Sequence, residues 1–369
     1  MSGKSGIEKF IRLHFSGMAG YSAATNPETL EGKVAVPLEE IVKLDANENP
    51  YGCSPEVKKA LASFNGFGIY PDADQTEVRR LLATYAGIGA EHIVAGAGSD
   101  EIIDLLLRLL LEPGDEVIAG VPTFDMYRFS TQVCGGKFVA VRRDPDFSVS
   151  VGTLKAAITP RTRVIFLTSP NNPSGNTVPR QDILEIVATG LPVVVDEAYF
   201  EFSGETVVPL VRRYDNLIVL RTFSKWAGLA GLRIGYGILP VNIASYLLTI
   251  KPPYNINLAA QVAVRESLQD RAYLLGTVQK IIAERDRLFG ELSRLRFLKT
   301  FPSRANFILC AVLRGNAREI RDTLQEKGIL IRYYDTPLLQ NYIRISAGKP
   351  EHTDMIMRAL REIEEKVNG

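Results

Sequence analysis

The chain has 369 residues, 46% of them hydrophobic and 23% charged, and its 43 Lys plus Arg against 42 Asp plus Glu leave a net charge of +1. This is the balance of an ordinary globular chain; it excludes wholesale disorder and offers no basic excess for nucleic acid. Three cysteines without a Cys-x-x-Cys pair and three scattered histidines argue against a disulfide framework and a metal site, and for a reducing compartment.

Residues 1–45 read as an arm of mixed composition. Glu8, Lys9 and Arg12 interrupt its apolar residues, so no signal-peptide core is present. The longest apolar stretch, 105–111, carries Arg108 in its middle. It is far short of the roughly 20 residues a membrane span needs. A soluble, cytoplasmic protein without a membrane partner is expected.

From about residue 50 helical patterns alternate with short apolar runs. Ser54-Pro55 opens a helix with a cap and a proline in the first turn. Asp74-x-x-Glu77 predicts a capping box ahead of Val78. Strands are predicted at 92–95, 116–119, 138–141, 164–167, 191–195 and 217–220, with helices at 100–111 and 180–188. These runs are continuously apolar rather than alternating, as in a mostly parallel sheet buried on both faces. Lys251-Pro252-Pro253-Tyr254 punctuates the chain. Beyond it come a helical stretch at 258–295, a strand at 306–313, a helix at 317–327, strands at 329–334 and 342–346, and a helix at 352–367. The fold class is α/β. A large unit at 46–253 has a mostly parallel sheet covered by helices, a smaller α/β unit occupies 254–369, and the arm is 1–45.

Ligands of open α/β sheets bind beyond the carboxyl ends of the strands. The first such end offers Gly96-Ala97-Gly98-Ser99-Asp100-Glu101 ahead of a helix, a plausible phosphate cradle. Neither nucleotide fingerprint fits it, and taken alone it is equally well a tight turn. Later ends offer Ser169-Pro170-Asn171-Asn172-Pro173-Ser174-Gly175, for which a turn is an adequate reading alone, and Asp196-Glu197-Ala198-Tyr199, which alone is equally well a helix cap or a site acid needing a partner. The last offers Ser224-Lys225, with Arg233 eight residues on, and a lone lysine there would commonly reach for solvent. Together they supply a phosphate cradle, an acid, a phenol and a lysine, the set that pyridoxal phosphate requires.

On these residues the chain resembles the fold-type I pyridoxal-phosphate aminotransferases, and among them the branch acting on histidinol phosphate. The resemblance runs from about Tyr21 to the last helix. It rests further on Asp45-Ala46-Asn47-Glu48-Asn49-Pro50-Tyr51, Tyr70-Pro71, Pro122-Thr123-Phe124, Gly231-Leu232-Arg233 and Arg344-Ile345-Ser346. It implies that Lys225 bonds the cofactor and that Asp196 faces its ring nitrogen. Asn172 and Tyr199 would hydrogen-bond the phenolic oxygen, and Phe124 would stack on the ring. Gly98, Ser99, Asp100, Ser224 and Arg233 would hold the phosphate. Tyr70 would reach the phosphate site of a second subunit in a homodimer. Arg344 would grip an anionic substrate, with Tyr21 and Asn49 also on the substrate side.

The activity so implied is transamination of histidinol phosphate with 2-oxoglutarate, giving imidazole acetol phosphate and glutamate, a step of histidine biosynthesis. An aromatic-amino-acid aminotransferase or a threonine-phosphate decarboxylase shares the same motifs. A nicotinamide oxidoreductase is disfavoured by the missing glycine fingerprint, and a non-catalytic ligand-binding protein by the complete set of chemical residues. Two positions depart from the family: Phe124 stands where tyrosine is frequent, and Trp226 follows the lysine where a smaller residue is usual.

Overall fold

The computed structural model describes residues 6–21, 26–30 and 36–368. The expected arm therefore lies partly outside the described residues; its described parts include short 3₁₀ turns at Gly6–Phe10, Leu13–Phe15 and Leu38–Glu40. The strands, in chain order, begin with β1 (Val42–Leu44), β2 (Ile93–Gly96), β3 (Glu116–Val121), β4 (Lys137–Arg142), β5 (Thr162–Thr168) and β6 (Val193–Asp196). They continue with β7 (Leu217–Thr222), β8 (Gly235–Ile238), β9 (Leu298–Phe301), β10 (Phe307–Val312), β11 (Ile329–Tyr334) and β12 (Tyr342–Ser346).

Seven strands form one sheet in the order β2-β8-β7-β6-β5-β3-β4. Only β8 runs against its neighbours. Both faces are covered, which explains the continuous apolar runs: Val193 and Val195 pack into one core cluster, while Val194 between them packs into the other. β8 was hidden in the sequence because two of its four residues are glycine. Gly235 is required there, since a Cβ would sit 2.3 Å from the backbone nitrogen of Ser99.

The second sheet has the order β1-β11-β12-β10-β9. β1 joins it from the far N-terminal side and pairs in parallel with β11, so the end of the arm is built into the smaller unit. The core does not change over at Pro253. Ile256, Ala260, Leu274, Val278 and Ile281 still pack in the larger unit's cluster, whereas Leu288 and Leu292 of the same Arg271–Leu292 helix belong to the smaller one.

Two local expectations fail. The capping box at Asp74 and Glu77 does not form. Helix Thr76–Ala86 starts after Gln75, whose backbone is left-handed at φ 56°. Its first-turn amide, on Thr76, is taken by the Asp72 carboxylate at 2.8 Å. Gln75 adopts that conformation because its amide side chain bonds both the N–H and the carbonyl of Ala95 on β2. The predicted helix at 258–295 is broken at Asp270 into Leu258–Gln269 and Arg271–Leu292. Among the described residues no helix is long and apolar enough to cross a membrane, and no cluster of potential metal ligands occurs.

Candidate active site

A cavity of about 860 Å³ opens at the carboxyl edge of the larger sheet and is closed on its far side by the smaller unit. Consecutive strand ends deliver its residues. Gly98, Ser99 and Asp100 follow β2, Thr123 and Phe124 follow β3, Asn172 follows β5, Asp196 ends β6, and Ser224 and Lys225 follow β7. Arg233 reaches the same edge because β8 is antiparallel, so that its amino end lies beside its neighbours' carboxyl ends.

Helix Ser99–Leu110 points its N-terminus into the cavity, where unpaired N–H groups favour an anion. Gly98 makes the approach possible: its φ is 85°, and a Cβ would stand 2.6 Å from Arg233 Nη2. Arg233 is half-exposed and holds Asp100 Oδ2 at 2.9 Å. Glu101, in the first turn of the same helix, turns away to accept from Ala97 N.

Asp196 is 3% exposed. Burial raises its carboxyl to about 6, against the lowering effect of donors at Tyr127 Oη, 2.6 Å away, and Ala198 N, 3.0 Å away. The adjacent Glu197 faces the other way and is buried against Arg221 at 2.9 Å. The two carboxylates therefore differ in use: one faces the cavity, and the other closes an internal ion pair. Lys225 donates to Ala46 O at 3.0 Å. Burial, helped by Arg344, lowers its ammonium to about 8. Tyr199 is buried, accepts from Asn47 Nδ2 at 2.8 Å, and is pushed up to about 12.

The smaller unit supplies Arg344 from β12. Its guanidinium lies over the rings of Phe307 and Tyr334, donates to Asp45 O at 2.7 Å, and bonds Asn172 Oδ1. Its Nε is buried without a hydrogen-bond partner, so the group retains donor capacity. Arg332 stands directly opposite Arg344 across the β11–β12 ladder, and both line the cavity. Tyr21 lines the mouth, edge-on to Phe124 at 6.4 Å.

Asn49, expected on the substrate side, is not in the cavity, and Tyr70, expected at a second subunit's site, does not line this one. Asn49 is buried with its amide donating to the carbonyl of Trp226 at 2.8 Å. Its place is behind Lys225, because a buried peptide carbonyl needs a donor more than the exposed cavity does. Tyr70 is 78% exposed and stacks on Tyr254 at 4.5 Å, outside the cavity. Trp226 fits without strain on its neighbours: it is fully buried and stacks on Tyr85 at 5.4 Å. Sequence reading missed Asn47, Tyr127, Thr168, Arg332 and Tyr334. Asn47 lay inside a quoted motif, but only its left-handed backbone and its partners reveal its use.

The set fits pyridoxal phosphate on chemistry alone. A lysine with a depressed pKa, a buried acid at the sheet edge and an anion-binding helix terminus converge on one cavity. The comparisons agree. The family model for aminotransferases of class I and II matches residues 39–360. A histidinol-phosphate aminotransferase of Dehalococcoides mccartyi is 51% identical over 97% of this chain and 99% of its own. The chloroplastic histidinol-phosphate aminotransferase 1 of Arabidopsis thaliana is 44% identical over 96% of this chain and 86% of its own. The crystal structure of histidinol-phosphate aminotransferase from Sinorhizobium meliloti in complex with pyridoxal-5'-phosphate superimposes with a TM-score of 0.85, at 27% identity, covering 96% of this chain and 97% of that one. The chain belongs to the class I and II aminotransferases.

Proposed function

We propose that the protein transfers the amino group of L-histidinol phosphate to 2-oxoglutarate, giving imidazole acetol phosphate and L-glutamate in histidine biosynthesis. The observation that carries the substrate assignment is the pairing of Arg332 with Arg344. Both guanidinium groups line the cavity, so a phosphate or carboxylate there meets two positive charges from adjacent strands. Guanidinium forks suit both anions, so one site can serve the phosphate ester and the dicarboxylic acid in turn. The relatives at 51% and 44% identity support the same choice.

Pyridoxal phosphate, when bound, supplies an aldehyde for the amine and a ring that accepts the electron pair left by a departing proton. Gly98, Ser99, Asp100, Ser224 and Arg233 would hold its phosphate, Phe124 its ring face, Asp196 its ring nitrogen, and Asn172 and Tyr199 its phenolic oxygen. Lys225 would hold the aldehyde and, once free, carry the substrate's α-proton. With its ammonium lowered to about 8, roughly a tenth of it is neutral base near pH 7, whereas an ordinary lysine is almost wholly charged. In this reading the larger unit binds the cofactor, and the smaller unit and arm close over the substrate and exclude water.

Glutamate formation from 2-oxoglutarate tests the assignment, with histidinol phosphate, phenylalanine, tyrosine and threonine phosphate offered separately as donors. The highest kcat/KM is expected for histidinol phosphate. A higher value for an aromatic amino acid, or carbon dioxide release from threonine phosphate, would replace this reading with the corresponding one. A cytoplasmic homodimer with shared sites belongs to the same proposal, supported by Tyr70 standing exposed beyond its own cavity. Co-refolding Tyr70→Phe with Lys225→Ala should give hybrids with one doubly damaged and one intact site; two half-damaged sites would assign Tyr70 to its own subunit.

A further inference from the structure

From Asp196 runs a row of hydroxyl groups, buried at Tyr127 and Thr168 and half-buried at Thr123, that the proposed reaction does not use. Tyr127 Oη is 2.6 Å from Asp196 Oδ2 and 3.0 Å from Thr168 Oγ1. Thr168 Oγ1 is 3.0 Å from Thr123 Oγ1, which is 2.8 Å from Asn171 Oδ1. Asn171 is oriented by its other bonds: its Nδ2 donates to Pro122 O and Ser174 Oγ, and its Oδ1 accepts from Arg143 Nη2 at 3.1 Å. Arg143 is 6% exposed, and its remaining bonds go to the carbonyls of Gly120 and Phe147. Among the described residues no carboxylate lies within salt-bridge distance of it, so a buried guanidinium stands at one end of the row and a buried carboxyl group at the other.

Counting protons shows what the row does. Asn171 Oδ1 and an ionised Asp196 only accept, and each hydroxyl between them has a single proton. Four links therefore share three protons, so with Asp196 ionised one link is empty. The charge keeps the Tyr127 link filled, because a hydrogen bond to an ion is about twice as strong as a neutral one. Tyr127 donates to Asp196 and Thr123 to Asn171 Oδ1, so the empty link is one of the two that Thr168 makes, to Tyr127 or to Thr123. With Asp196 protonated, its own proton fills the row: the Tyr127 hydroxyl turns from Asp196 to Thr168, Thr168 donates to Thr123, and Thr123 still donates to Asn171.

We propose that Tyr127 is a positioning residue for Asp196, the terminal donor of a hydroxyl row, and that its hydroxyl turns with the ionisation of that acid. The inference rests on the proposed function only in naming Asp196 as the acid that faces the cofactor. The row holds the carboxylate in place from behind, leaving its other oxygen to Ala198 N and the cavity, and supplies donors without a second charge. Aligned hydroxyls polarise one another, so the last donor is stronger than an isolated tyrosine. The other charged or titratable groups acting on Asp196 are Asp100 from the helix after β2, and Glu197 and Tyr199 from its own strand end.

The test titrates Asp196 without the cofactor and again with it. In cofactor-free protein, the infrared carbonyl band of a protonated buried carboxyl group that Asp196→Asn removes should have its midpoint near pH 6. Tyr127→Phe keeps the ring stacked on Phe166 and removes only the donor. It should move that midpoint up by about one unit or more, since the ionised form loses a charged hydrogen bond. Thr168→Val should move it the same way by less, because Tyr127 keeps its own proton for Asp196. Affinity for pyridoxal phosphate, measured across the same pH range, should fall on acidification at the correspondingly higher pH. A midpoint in Tyr127→Phe that stays at the wild-type value, or drops, overturns the inference even if cofactor binds and turnover is intact. A wild-type protein that binds no pyridoxal phosphate, while Tyr127→Phe still shows the raised midpoint, would instead overturn the proposed function and leave the row standing.

Discussion

The two walls of the cavity are built in different ways. The cofactor wall comes from one sheet, and each of its side chains lies within a few residues of a strand end: Ser99 after β2, Phe124 after β3, Asn172 after β5, Asp196 on β6, Lys225 after β7. The opposite wall is held by bonds between segments far apart in the chain. Arg344 meets the carbonyl of Asp45 and the amide of Asn172, and Ser346 meets Asn47, which in turn holds Tyr199. The strip at 45–49 runs between the walls and touches both. Its carbonyl at Ala46 accepts from Lys225, and Asn306 of the smaller unit donates to the carbonyl of Asn47. A wall fixed by a sheet is rigid before any ligand arrives, whereas one fixed by side-chain bonds between two units can adjust when they move.

Substitutions on each wall should therefore fail differently. The largest effect is expected for Lys225→Ala, which removes the base and the point of cofactor attachment and should abolish glutamate formation while leaving a folded protein by circular dichroism. Turnover near the wild-type rate would take the chemistry away from the sheet edge. Next is Arg344→Ala on the opposite wall. Removing one partner of a buried charged contact costs about 2–5 kcal/mol, so KM for both histidinol phosphate and glutamate should rise by more than tenfold with cofactor still bound. Arg344→Lys should be intermediate, because a point charge cannot reproduce the planar fork. Unchanged KM in Arg344→Ala would place substrate recognition elsewhere.

A smaller effect separates the strip's two roles. Asn49→Ala should leave substrate KM unaltered, because the side chain points at Trp226 rather than into the cavity. It should lower stability by about 1–3 kcal/mol through the unpaired buried carbonyl. Denaturant unfolding followed by the fluorescence of the only tryptophan would read both the loss and any local change at Trp226. A raised KM with unchanged stability would return Asn49 to the substrate side.

The same division explains what could be read in the chain. A buried parallel strand announces itself as an apolar run, and the polar residues just beyond it are candidates by position alone; Asp196, Tyr199 and Lys225 emerged in that way. The residues that work through distant partners left no such mark. Tyr127 sits on a helix face where an aromatic is ordinary core, and only its 2.6 Å bond to Asp196, 69 residues away, gives it a role. Arg332 carried no local mark, and only the register of β11 and β12 sets it opposite Arg344. Asp72 displaced the expected capping box because Gln75 is drawn to β2, a contact that no local pattern encodes.

The smallest expected effect concerns the Lys225 amine in cofactor-free protein. Its folded-state value is about 8, against 10.5 for an ordinary lysine, because burial and the neighbouring Arg344 disfavour the charge. The unfolded chain thus binds this proton more tightly than the folded one. Below pH 8 both states are protonated, and the folded state bears the cost of the buried charge. As pH rises from about 8 to 10.5 the folded state releases its proton first, so stability should increase across that window and level off above it. Partial exposure of the side chain and the release of other protons will blunt the gain. The measurable quantity is therefore the difference in Tm between wild type and Lys225→Met, which fills the same space without a titrating group. The methionine variant should be the more stable at pH 7, with the gap closing by pH 10. A constant gap across that range would mean that Lys225 keeps an ordinary affinity for its proton, and that the sheet edge does not by itself prepare the base.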